Sequence, residues 1–262
     1  IADVACRFAK EGYLAIAPEL FIRQGDPSSY GEVARLQAEV ISKVPDAQVM
    51  NDLDACLVWA DAHGGNSKRL AMTGFCWGGR ISWLYAMHQP KLKAAVAWYG
   101  RLEGQKTTAA PQHPLDLVAN LKAPVLGLYG AADTGIPLTS VDRMKSALTQ
   151  LAAQGNAAAK ESNFVVYPDA PHAFHADYRP SYQEGAAQDA DRLGTRAPFG
   201  SLFQGHGAAW RALRRARLQL HRPDRRTRHP HPRRVLQRSQ TLGSGTHSFL
   251  HINPAVQCAA CK

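Results

Sequence analysis

Five short apolar runs, most of them separated from the next by helix-forming sequence, constrain this chain more than any other feature. They cover residues 13–17, 69–73, 94–99, 124–129 and 164–167. None alternates apolar with polar residues, as a strand with one wet face does, so each is expected to be a strand buried on both faces. Helical stretches are expected between them at about 30–42, 46–62, 77–88 and 138–153. In the second of these, Leu53, Cys56, Leu57 and Ala60 recur at helical spacing. A further helix opens the chain over 1–10, and a last one starts at about 182–189. Strands and helices in alternation predict an α/β fold, with a mostly parallel sheet covered by helices on both faces.

In a sheet of that kind the chemistry gathers just beyond the carboxyl ends of the strands. Cys76, Asp133 and His172 each follow an expected strand. Cys76 lies in Gly74-Phe75-Cys76-Trp77-Gly78-Gly79, between a strand and a helix. A nucleophile elbow needs this arrangement: the turn strains the nucleophile's backbone, and small neighbours keep the turn free of clashes. The thiol then stands at a helix N-terminus, where dipole and free N–H groups favour thiolate. The N–H of Trp77 is set to donate to an oxyanion forming beside the sulfur.

Asp133 closes Gly130-Ala131-Ala132-Asp133, and His172 lies in Ala170-Pro171-His172-Ala173-Phe174. Nucleophile, acid, histidine is the chain order of α/β-hydrolases. In that scheme His172 activates the thiol and later a water, and Asp133 fixes its tautomer. His175 is the rival base, and the Pro-His-x-Phe setting favours His172. Trp77, Trp83, Tyr99 and Phe174 are candidates to line a pocket, although aromatics at such spacings more often build the core.

These motifs together resemble the dienelactone hydrolase family of cysteine α/β-hydrolases, the carboxymethylenebutenolidases. The resemblance covers about residues 1–190. It also rests on Gly12-Tyr13, on Ala17-Pro18-Glu19-Leu20-Phe21 with Arg23-Gln24-Gly25 after it, on Tyr99-Gly100 and on Tyr167-Pro168-Asp169. It implies hydrolysis of an unsaturated lactone or related ester through a thioester acyl-enzyme, without metal or organic cofactor. Within enzymes a broader carboxylesterase is the nearest alternative, and from another class a non-catalytic protein with a nucleic-acid-binding basic tail is the runner-up. Arg23 matches the position of an arginine that helps to bind the substrate carboxylate. A second such arginine, past the histidine, is replaced by Ala176. The family also has strands, a glutamate and a second oxyanion N–H ahead of the opening helix. None of these is assigned here, Glu19 included, and the N-terminal strands are expected to be missing.

The formal net charge of +10 divides unevenly. Residues 1–190 hold 17 Lys+Arg against 19 Asp+Glu, whereas 191–262 hold 14 against 2. The chain is therefore divided into a hydrolase-like body, 1–190, and a basic Arg/His/Pro-rich tail, 191–262, without the period of a helix or strand. Three readings of the tail stay open. It is a non-specific nucleic-acid grip, a small zinc site from His247, His251, Cys258 and Cys261, or the product of a reading-frame shift near codon 190. We favour the last, and expect no nucleic-acid partner and no metal. Five cysteines form no disulfide framework, which fits a reducing, cytoplasmic setting. No run is long and apolar enough to span a membrane, and the partner that the resemblance implies is a small lactone or ester.

Overall fold

The computed structural model describes residues 1–204. Its centre is one parallel sheet whose strands lie side by side in chain order: β1 (Leu70–Phe75), β2 (Leu92–Trp98), β3 (Val125–Gly130) and β4 (Asn163–Tyr167). Every residue of β3 and all but Lys93 of β2 are buried. Because successive side chains point to opposite faces, both faces of these strands are covered. The helices that do this include α4 (Trp77–His88), which packs on β1 and β2, and α8 (Glu184–Gln204), which packs on β1, β2 and β3. Also present are α1 (Ala2–Lys10), α2 (Val33–Glu39), α3 (Asp46–Ala62), α5 (Pro114–Leu117), α6 (Leu138–Ala153) and α7 (Ala157–Glu161).

Four of the five expected strands and all the long helices are there. The exception is 13–17, which has no regular secondary structure and pairs with no strand among the described residues, with Leu14 exposed. An apolar run becomes a strand only when a neighbouring backbone takes its N–H and C=O groups, and a local pattern carries no information about that neighbour. The helix expected over 30–42 is shorter. It ends at Val40, which leaves helical geometry (φ −122°, ψ −65°) and leads into a 3₁₀ turn, Ile41–Lys43. Helix α8 runs across residue 190. Gly194, on its third turn, packs so closely on Trp98 that a Cβ there would lie 2.7 Å from the indole.

A largely buried ion pair ties α3 to α4. Arg80 grips Asp46 with both terminal nitrogens, at 2.6 and 2.7 Å, and donates to Gln112 O at 2.8 Å. The bidentate fork and the third acceptor offset the cost of burying a guanidinium. No helix among the described residues is long and apolar enough to cross a membrane.

Candidate active site

The carboxyl ends of β1, β3 and β4 bring three side chains together. Cys76 follows β1 with φ 55° and ψ −114°, a conformation that costs a non-glycine residue about 1–3 kcal/mol. The turn is possible because backbone passes where side chains would be. A Cβ on Gly74 would lie 2.2 Å from Gly78 O, and one on Gly79 would lie 2.4 Å from Trp98 O. Gly78 itself has open space at its Cβ position, so the close approach falls on Gly74 and Gly79. The Cys76 N–H is taken by Trp98 O at 3.0 Å, and its carbonyl starts α4 by accepting from Gly79 and Arg80.

The loops after β3 and β4 are pinned to each other. Ala131 N–H donates to Tyr167 O at 2.8 Å and Ala132 N–H to Ala170 O at 3.1 Å. Asp133 is thereby set beside His172. Its Oδ2 lies 2.7 Å from His172 Nδ1, while its Oδ1 accepts from the N–H groups of Gly135 and Ile136 at 2.8 and 3.1 Å. With its side chain 1% exposed, the carboxylate has no freedom to turn away. His172 Nε2 lies 3.1 Å from Cys76 Sγ. With Nδ1–H given to Asp133, Nε2 is the nitrogen that can exchange a proton with the thiol.

Cys76 opens to solvent, yet enough protein surrounds the thiol for burial to oppose its ionisation. The hydrogen bond from His172, the imidazolium charge, the N–H of Trp77 and the charge of Arg179 outweigh that, and its pKa lies below the usual thiol value. His172 is raised from 6.5 to about 9, first by Asp133 and then by Cys76, against the effect of burial. Both shifts favour a thiolate–imidazolium pair, the reactive form of a cysteine nucleophile. The N–H of Trp77 points at the sulfur, where a forming oxyanion would find it.

Three non-glycine residues have positive φ among the described ones, and all border this site: Cys76, Tyr99 (36°) and Ala173 (60°). Tyr99 is 2% exposed and sets its ring edge-on to His172, with centroids 5.1 Å apart. Trp83 and Phe174 are fully buried core, and the half-buried Trp77 packs on Phe21. Arg23 is half-exposed and forms an ion pair with Asp52 of α3. Arg179, which the sequence reading passed over, lies on the loop after His172, and its charge acts on both Cys76 and Tyr99. The rival His175 turns away from Cys76, and its Nε2 lies 2.8 Å from Asp191 Oδ1. Among the described residues no cluster of His, Cys, Asp or Glu could hold a metal ion. His247, His251, Cys258 and Cys261 lie outside the described residues, as does most of the basic tail.

Known proteins share this arrangement of sequence and fold. Residues 1–196 match the family described as "Dienelactone hydrolase family". A protein of Methylorubrum extorquens named "Putative carboxymethylenebutenolidase" is 57% identical over 190 residues, which are 72% of this chain and 63% of that protein. The chain thus spans less than two thirds of that relative's length. A Bradyrhizobium protein named "Probable 2-oxo-3-(5-oxofuran-2-ylidene)propanoate lactonase" is 33% identical over 193 residues, 72% of this chain and 73% of its own. A crystal structure titled as a "Putative Dienelactone Hydrolase" from Klebsiella pneumoniae superposes with a TM-score of 0.70 at 55% identity, covering 76% of this chain and 79% of that one. The chain belongs to the dienelactone hydrolase family.

Proposed function

We propose that Cys76, His172 and Asp133 form the catalytic triad of a hydrolase that opens an unsaturated lactone, or cleaves a related carboxylic ester, through a thioester. The observation that carries this is the unbroken line from Sγ to Nε2 at 3.1 Å and from Nδ1 to Oδ2 at 2.7 Å. The thiolate attacks the lactone carbonyl, and the carbonyl electrons move onto the oxygen facing the Trp77 N–H. Collapse of this adduct breaks the ring C–O bond. The departing oxygen takes the proton from His172, and an acyl group remains on Cys76. His172, now neutral, removes a proton from water as the water attacks the thioester. The second adduct expels the thiolate, and the proton left on His172 restores the starting pair. The net change is lactone plus water to an open-chain acid.

The name of the Bradyrhizobium relative includes an unsaturated furanone ring and a carboxylate. An anionic substrate of that type suits the positive charge of Arg179, which reaches Cys76, with Arg23 as a second cation on the loop that packs on Trp77 through Phe21. The test is a panel of cis-dienelactone against simple neutral acyl esters, with Cys76→Ala as the control. Faster turnover of the lactone, lost in Cys76→Ala, is the expected result. Turnover that survives the substitution would refute the triad, and a preference for neutral esters would refute the substrate class.

A further inference from the structure

Behind the candidate nucleophile lies a second imidazole–carboxylate pair that the chemistry above does not use. His175 Nε2 lies 2.8 Å from Asp191 Oδ1 of α8, and Asp191 Oδ2 accepts from Arg7 Nη1 of α1 at 3.1 Å. The His175 side chain is only 12% exposed. Its ring stacks on Phe75 (centroids 5.1 Å, 21°) and tilts against Trp98 (4.5 Å, 54°). An imidazole buried in this way needs a partner for its polar nitrogens, and Asp191 supplies one.

Phe75 and Trp98 are the two residues whose backbones carry Cys76. Phe75 precedes it, and Trp98 O takes its N–H at 3.0 Å. The two residues are register partners in the sheet, and their rings touch at 5.0 Å. Trp98 is held further by its Nε1–H bond to Thr73 Oγ1 at 3.0 Å and by the close approach of Gly194. A backbone with positive φ at a cysteine persists only where its surroundings over-determine it.

We propose that His175, locked by Asp191 and Arg7, is a positioning residue that fixes Phe75 and Trp98, and through them the strained backbone of Cys76. Helices α1 and α8 are thereby fastened to the nucleophile's support from the face of the sheet that carries His175. Residues past 190 then belong to the working body of the enzyme, since Asp191 and Gly194 supply two of the contacts.

The inference rests on the proposed role of Cys76, so its test reads the thiol and needs no substrate. In the full-length chain, alkylation of Cys76 by iodoacetamide is followed against pH by mass spectrometry of its peptide. In His175→Ala the rate at neutral pH is expected to fall about tenfold, as small misplacements near a reacting atom do. The alkylation midpoint should also rise toward that of a free thiol. His175→Phe, which keeps a ring against Phe75 and Trp98, should recover most of the rate. Asp191→Asn should fall between wild type and His175→Ala, and it decides the matter if His175→Ala does not fold. Folded Asp191→Asn and His175→Ala proteins with the wild-type profile would overturn the inference, as would a His175→Phe profile no better than that of His175→Ala. An ordinary thiol profile in the wild type itself would instead sink the triad, and this inference with it.

Discussion

His172 and His175 leave the same loop but bind different carboxylates: Nδ1 of the first lies 2.7 Å from Asp133, and Nε2 of the second lies 2.8 Å from Asp191. The division decides which imidazole can work on the thiol. His172 presents Nε2 to Cys76, whereas the corresponding nitrogen of His175 is already engaged.

The elbow should tolerate a methyl group at one glycine and reject it at two. Alanine at position 74 or 79 drives a Cβ into backbone oxygen at 2.2 or 2.4 Å, neither of which can move aside cheaply. Each is expected to destabilise the fold by about 1–3 kcal/mol, as overpacking does. Gly78→Ala meets open space and should stay within about 0.5 kcal/mol. Urea denaturation of the three variants checks the contrast, and equal effects would contradict it.

Asp46→Ala should be among the costlier single changes away from the site. Arg80, 5% exposed at its side chain, would lose a bidentate partner and remain charged in the interior. Breaking a buried pair in this way costs about 3–5 kcal/mol. A loss below about 1 kcal/mol on denaturation would show that water or a neighbour replaces the carboxylate.

Stability should depend on pH through His172. Its pKa is raised on folding from 6.5 to about 9, chiefly by Asp133, so the native state holds the proton more tightly than the unfolded chain. This contribution is fully present below pH 6.5 and is lost as the pH rises through about 9. The stability gap between wild type and His172→Gln is therefore expected to narrow as the pH rises across that window. A gap that stays constant or widens would contradict the assignment.

Arg179 should matter more for substrate binding than for the thiol, on which its charge acts least among the groups that lower the pKa. Arg179→Gln is expected to raise KM for a carboxylated lactone about tenfold, the scale of one charge-assisted hydrogen bond, and to leave a neutral ester nearly unaffected. Steady-state kinetics on both substrates checks this. An equal loss on both would assign the residue to the fold.

The long elements and the grouping of Cys76, Asp133 and His172 were legible because their signals are local. Cys76 announces itself by the glycines around it, and Asp133 and His172 by following apolar runs in the right order. What escaped the sequence depends on contacts between distant segments. The run 13–17 has a strand's composition but no paired neighbour among the described residues. His175 looks like a rival base until Asp191, on another element, is seen to hold it. Arg179 does not sit at the spacing the family resemblance pointed to, and only the path of the loop brings its charge to bear on Cys76. The short helices α5 and α7 span too few residues to show a period. The change of composition after 190 hid the fact that α8 continues, because packing of Asp191 and Gly194 on the sheet is not a property of composition.

Under the proposed mechanism Cys76 becomes covalently acylated during turnover. Acid quenching of the full-length chain during turnover of cis-dienelactone, followed by peptide mass spectrometry, reads this directly. A substrate-derived acyl group is expected on the Cys76 peptide, removed by hydroxylamine and absent from Cys76→Ala. Turnover without such an adduct, undiminished in Cys76→Ala, would contradict that mechanism.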